Sequence, residues 1–155
     1  MIIVNRNILL DPQKYDAIAV TTNGVVKANG NLVMGAGIAK QFASRYPNLP
    51  YQLGRKVKTY GNIPFMIKQK GYALLSFPTK NHYSENSDLE LIETSAKKIK
   101  TITDKFYWTK VAIPAPGVGL GGLSWNKQVQ PLLEKIFDDR FIIHFYNPRK
   151  NNGHN

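Results

Sequence analysis

The chain has no cysteine. That excludes a disulfide framework, thiolate zinc sites and cysteine nucleophiles. It also fits a cytoplasmic setting, where disulfides are rare. No apolar run approaches the roughly 20 residues that span a bilayer, so no membrane partner is expected. The opening Met1-Ile2-Ile3-Val4-Asn5-Arg6 lacks the basic stretch that begins a signal peptide and reads as a first strand. The 3 histidines are scattered and make no metal site without cysteines to join them, and no cofactor is expected. There is no repeat and no internal linker. The 155 residues suit one domain with one core, drawn at residues 1–147, followed by a polar, flexible tail at 148–155.

The absence with the widest consequence is acid. No Asp or Glu occurs between residues 17 and 84, while Lys27, Lys40, Arg45, Arg55, Lys56, Lys58, Lys68, Lys70 and Lys80 fall there. The acids gather mainly at residues 85–93 and after Asp104, and the formal net charge is +11. Such a basic half either attracts a polyanion, with nucleic acid the natural partner, or is a solvated face that aids solubility.

What is present is a succession of short apolar runs and helical patterns. Residues 16–22 (Asp-Ala-Ile-Ala-Val-Thr-Thr) read as a buried strand, and Asn23-Gly24 as the turn after it. Residues 35–46 fit a helix, with Ile38, Ala39, Phe42 and Tyr46 on one face and Pro47 ending it. Residues 49–63 have no clear pattern. Residues 65–67 and 72–77, joined through Gln69-Lys70-Gly71, look like a hairpin. Ser87-Asp88-Leu89-Glu90 matches a capping box with Ser87 as the cap. Leu89, Ile92, Ala96, Ile99 and Thr103 form the inner stripe of the helix that follows. Residues 110–113 form a strand. Ser124 can cap a helix holding Val129, Leu132, Leu133, Ile136 and Phe137, in which Pro131 imposes a kink or a later start. Residues 141–146 make a last strand. Alternating strands and helices indicate an α/β layered fold with a largely parallel sheet, which binds ligands at the carboxyl ends of its strands.

Two glycine-rich turns stand out. The first is Met34-Gly35-Ala36-Gly37-Ile38-Ala39; the second is Pro116-Gly117-Val118-Gly119-Leu120-Gly121-Gly122-Leu123. Each follows a strand signal and leads toward a helical pattern. Such turns present bare N–H groups at a helix N-terminus, where partial positive charge favours phosphate. Two of them suggest a ligand with two phosphates; the plain alternative is a pair of tight strand-to-helix turns.

These residues resemble a macro domain, the ADP-ribose-binding module. The likeness covers nearly the whole chain. Residues 16–23 are similar to that family's first ligand strand, the first glycine turn to its first phosphate loop, and Ile113-Pro114-Ala115-Pro116-Gly117-Val118-Gly119-Leu120-Gly121-Gly122-Leu123-Ser124-Trp125 to its second. The resemblance implies a three-layer α/β/α sandwich with a mixed, largely parallel central sheet. Within the family, Ser76-Phe77-Pro78-Thr79-Lys80-Asn81-His82-Tyr83 and Gly-Leu-Gly-Gly-Leu-x-Trp resemble the terminal ADP-ribose glycohydrolases and the DNA ADP-ribosyl glycohydrolase antitoxins.

The resemblance implies a hydrolase that removes ADP-ribose from a modified target, plausibly DNA. An ADP-ribose-1″-phosphate phosphatase and a non-catalytic reader of ADP-ribose marks are the alternatives. It places ADP-ribose against Asn7, Ile8, Asn23, Met34, Gly35, Ala36, Gly37, Ile38, Pro116, Gly117, Val118, Gly119, Leu120, Gly121 and Tyr146. The two loops would hold the diphosphate, and Tyr146 either stacks on adenine or caps the sheet. Lys80 matches the catalytic lysine of that branch, whose amine attacks C1″ of the distal ribose; by residue type alone it is an ordinary loop lysine. His82 is either a general acid or an idle loop histidine. Three departures stand out. Arg6-Asn7-Ile8 replaces the family's Gly-Asp-Ile, so Asn7 would meet adenine through its amide oxygen. Val20 stands where many hydrolytic members carry Asn. Gly121 stands where the terminal-ADP-ribose enzyme has an acid, an acid the antitoxin branch also lacks.

Overall fold

In the computed structural model the run at 17–22 is a strand, β2 (Ala17–Thr22), with its first four residues fully buried. Burial on both faces is why the run is continuously apolar rather than alternating. Ala17 and Ala19 face one core, and Ile18 and Val20 the other. The structure describes residues 1–146. The expectation of a loose tail from residue 148 therefore lies outside the described residues.

Around β2 assemble β1 (Ile2–Asn5), β3 (Met66–Lys68), β4 (Ala73–Pro78), β5 (Val111–Pro114) and β6 (Phe141–Phe145). The sheet order is β1-β6-β5-β2-β4-β3. Every pairing is parallel except β3 with β4, the expected hairpin. The helices are α1 (Gly37–Arg45), α2 (Leu49–Tyr60), α3 (Leu89–Lys105) and α4 (Gln130–Glu134). Helices α1 and α2 cover one face with Phe42, Leu49, Leu53 and Val57. Helices α3 and α4 cover the other with Ile92, Ala96, Ile99 and Leu133. This is the expected α/β/α sandwich. Among the described residues no helix is long and apolar enough to cross a membrane.

Three local expectations change. Residues 49–60, which have no clear pattern in sequence, form α2. Its inward residues Leu49, Leu53 and Val57 recur every fourth position, Pro50 sits in its first turn, and Gly61 ends it at φ +95°. The cap of α3 is Asp88, not Ser87: the Asp88 carboxylate accepts from the Glu90 and Leu91 amides at 2.9 and 3.3 Å. Ser87 instead ties the second loop down, its amide donating to the Gly121 carbonyl at 2.8 Å. Finally, Pro131 is accommodated by a register change. Ser124 caps a single π-helical turn, Trp125–Val129, and α4 begins after it with Pro131 in its first turn, where a missing N–H costs nothing.

Parallel pairing aligns the carboxyl ends of β2, β4, β5 and β6 at one edge. Thr22, Pro78, Pro114 and Phe145 end there, and the loops that follow enclose the site.

Candidate functional site

A cleft of about 830 Å³ opens at that edge. Strand ends give it Thr21, Thr22, Pro114, His144 and Phe145, and loops give it the rest. Of the residues expected from sequence, Asn7, Ile8, Asn23, Met34, Gly35, Ala36, Gly37, Ile38, Lys80, Val118, Gly119, Leu120, Gly121 and Tyr146 line it. Pro116, Gly117 and His82 are not in its lining. Pro116 and Gly117 are buried beneath the second loop. A Cβ on Gly117 would come within 2.7 Å of the Ile92 side chain. Packing alone therefore requires glycine at this position. The His82 Nδ1 is occupied by the Ser84 amide and hydroxyl at 3.1 and 2.8 Å, and its ring lies against Tyr83.

The first loop enters α1 through Ala36, whose backbone is extended and carries no side-chain cap. The first amides of α1 thus lack both an intrahelical acceptor and a cap, and no acid sits in the first turn. The second loop faces them. Gly119, at φ +61°, has nothing within 4 Å of where a Cβ would stand. Gly35 is equally open. Bare backbone thus borders open space from both loops, as close approach by a phosphate requires. The loops come close where the Leu120 side chain would lie 3.3 Å from a Cβ on Gly37.

Lys80 joins the two sides. Its Nζ donates to the Leu120 carbonyl at 3.2 Å, across the cleft mouth. Its backbone is fixed by the Asn62 amide, which donates to the Lys80 carbonyl at 2.9 Å and to Asn81 Oδ1 at 3.0 Å. The preceding Thr79 amide donates to the Thr22 carbonyl at 3.0 Å, so Lys80 starts from the rigid end of the sheet.

Two expected contacts have other work. The Asn23 amide group donates to the Val33 carbonyl and its oxygen accepts from the Val25 amide, both at 2.9 Å. It ties the end of β2 to the first glycine loop. Asn7 Oδ1 accepts from the Leu9 amide at 2.9 Å, forming an Asx turn. Tyr146 stands half exposed at the end of β6.

Other lining residues had no signal pointing to them in the sequence: Arg6, Gln41, Tyr83, Ser87 and His144 among them. Ser87 is 7% exposed and its hydroxyl has no hydrogen-bond partner among the described residues. It lies where a Cβ on Gly121 would be 2.4 Å from Ser87 Oγ. With serine at 87, residue 121 therefore has room for glycine and none for an acid. The role of Ser87 is masked in sequence because it matches a capping box. His144 hydrogen-bonds Tyr15 through Nε2 at 3.0 Å and is held below the usual histidine pKa chiefly by burial, with Arg6 adding to the effect. Among the described residues, no three His, Asp or Glu side chains are grouped as metal ligands would be.

No protein-family model matches the chain. Individual proteins do. A DNA ADP-ribosyl glycohydrolase of Mycobacterium tuberculosis is 31% identical over 109 residues, covering 65% of this chain and 31% of that protein. One from Thermus aquaticus is 29% identical over 142 residues, covering 86% and 37%. The chain thus spans about a third of the length of the curated relatives it matches. Among solved structures, the macrodomain of M. tuberculosis DarG superposes with a TM-score of 0.78 at 27% identity, covering 92% of this chain and 97% of that one. The macrodomain of T. aquaticus DarG gives 0.75 at 27%, covering 95% and 97%. Thermosipho africanus DarTG in complex with ADP-ribose gives 0.72 at 25%, covering 87% and 39%. The sheet order, the two facing glycine loops and these relatives agree on a macrodomain fold, and the chain is similar to the DarG macrodomains.

Proposed function

We propose that the chain is a DNA ADP-ribosyl glycohydrolase: it binds the ADP-ribose of a modified base in the cleft and hydrolyses the bond to that base. The observation that carries this reading is Lys80, whose amine reaches across the cleft mouth to the loop that would hold the diphosphate. In this reading the amides at 36–38 and 118–120 bind the diphosphate, and Asn7, Ile8 and Tyr146 border the adenine end. The distal ribose then lies toward Lys80. The deprotonated amine attacks C1″. The bond from C1″ to the base nitrogen breaks, and its electron pair leaves with the base, which takes up a proton. Water then cleaves the C1″–Nζ bond, releasing ADP-ribose and restoring the amine. His82 lies outside the cleft lining, and these steps do not use it. The acid-free half favours a nucleic-acid acceptor over a protein one.

The test is incubation with an ADP-ribosylated oligonucleotide, an ADP-ribosylated protein and ADP-ribose-1″-phosphate. Release of ADP-ribose from the oligonucleotide is expected. Phosphate release from the third substrate alone would make the protein a phosphatase, and binding without turnover would make it a reader.

A further inference from the structure

The main cleft leaves the outer face of α2 without a role. Its inward residues recur every fourth position, and so do its outward ones. Tyr51 and Arg55 form one ridge, and Lys56 and Tyr60 the next. Together they border a second, shallower groove of about 360 Å³, floored by Ile67 of β3. Tyr51 is 50% exposed and Tyr60 68%. Tyr51 has a cation over its ring, and Tyr60 shares a neighbour, Phe65, with another. The Arg55 guanidinium lies over the Tyr51 ring at 5.8 Å. Lys56 Nζ lies 5.9 Å from the centroid of Phe65, against which Tyr60 also packs. Large aromatic faces left in solvent beside cations are costly to display and useful to one kind of ligand, a flexible polyanion with flat rings.

Charge points the same way. α2 lies inside the stretch without a single acid, and β3, the free edge strand beside it, carries Lys68 with Lys70 just beyond. The groove also has a direction. Two residues past Tyr60, Asn62 donates to the Lys80 carbonyl at 2.9 Å. A strand seated along α2 therefore runs toward the backbone that carries Lys80.

We propose that the outer face of α2 is a docking track for single-stranded nucleic acid, with Tyr51 and Tyr60 stacking on bases and Arg55 and Lys56 meeting phosphates. This rests on the reading of the chain as an enzyme acting on a modified nucleic acid. It extends that reading by separating strand recognition from ADP-ribose recognition. Stacking requires unpaired bases, so duplex binds more weakly than single strand.

The experiment is fluorescence anisotropy of the full chain with a labelled, unmodified oligothymidylate, alongside calorimetric titration with free ADP-ribose. Tyr60→Ala and Tyr51→Ala should each weaken oligonucleotide binding by about 5- to 100-fold, and Tyr60→Phe should restore it, since stacking needs only the ring. Arg55→Gln should lower the slope of log affinity against log salt by about 0.7 for each phosphate that Arg55 neutralises. All four variants should bind ADP-ribose as the parent does. Unchanged oligonucleotide affinity in both alanine variants overturns the track while leaving the proposed activity intact. So does equal competition by polyglutamate of matched charge, which would mean a generic basic face for acidic partners. If instead the parent fails to bind ADP-ribose but oligonucleotide binding still depends on Tyr51 and Tyr60, the activity fails and the track stands.

Discussion

Gly119→Glu separates the two things a loop glycine can do. At φ +61° any other residue takes on left-handed strain of about 1–2 kcal/mol. For a domain of this size that lowers Tm by roughly 2–8 °C. The new side chain meets nothing within 4 Å at its Cβ, so no clash adds to this cost. Gly119→Ala should therefore lose about as much stability as Gly119→Glu. Binding should tell them apart. A carboxylate about 5 Å from a ligand phosphate is repelled by roughly 1–3 kcal/mol at effective dielectric constants of about 80 down to 20. Against an expected micromolar affinity for ADP-ribose, about −8 kcal/mol, that is a loss of roughly 5- to 160-fold before any steric term. Gly119→Gln supplies the bulk without the charge and should fall between the two. Differential scanning fluorimetry gives the Tm values and isothermal titration the affinities. If the Glu and Ala variants bind ADP-ribose equally while both stay folded, the second loop does not face the diphosphate and the site is wrongly drawn.

Three further outcomes are expected. Lys80→Ala should keep the fold and much of the ADP-ribose affinity but lose release of ADP-ribose from modified DNA by orders of magnitude, as should Lys80→Arg, whose guanidinium keeps the charge but cannot act as an amine nucleophile. Restored turnover in the Arg variant would reduce Lys80 to an electrostatic clamp. Gly121→Ala should cost about 1–3 kcal/mol in urea denaturation through the 2.4 Å approach to Ser87 Oγ, and Ser87→Ala should recover much of that in the double variant. Additive losses would show that the two residues do not share that space. His144, buried and so held below its ordinary 6.5, binds its proton more readily once unfolded. Its contribution to stability is full above that value and is lost as pH falls from it through the lower folded pKa, so His144→Gln should flatten the stability profile below pH 6.5. A profile as steep as the parent's would assign the slope to other groups.

Most of the fold was legible because each strand carries its signal locally. β2, β4 and β5 are mostly apolar since helices cover both faces, and the α3 stripe of Ile92, Ala96, Ile99 and Thr103 is continuous. α2 was not legible, for a physical reason. Its inward stripe is only Leu49, Leu53 and Val57, with Gly54 placed where helix propensity would resist it. The glycine is set by packing: a Cβ there would lie 1.9 Å from the Gly30 carbonyl oxygen. A contact with a loop some two dozen residues earlier thus overrides the local preference. Pro50 and Gly61 were signals for the ends of a helix whose middle looked wrong.

The same division runs through the site. The glycine loops and Lys80 were legible because their chemistry needs particular residue types in a fixed order. Ser87 was hidden because one local pattern suited two purposes. As the first residue of Ser-Asp-Leu-Glu it reads as a helix cap, yet the chain uses its neighbour Asp88 for that, and the Ser87 amide goes to Gly121. Only the pairing of 87 with 121, thirty-four positions apart, reveals that its hydroxyl packs under the second loop. The charge pattern was legible in amount but not in place. The stretch without acids becomes the α1–α2 layer and the β3 edge, while Asp88, Glu90, Glu93 and Asp104 fall on or beside α3 across the sheet. The sheet therefore separates a side built from the acid-free stretch from one whose helix α3 mixes Glu90, Glu93 and Asp104 with Lys97, Lys98, Lys100 and Lys105, with the cleft at the edge where the two meet.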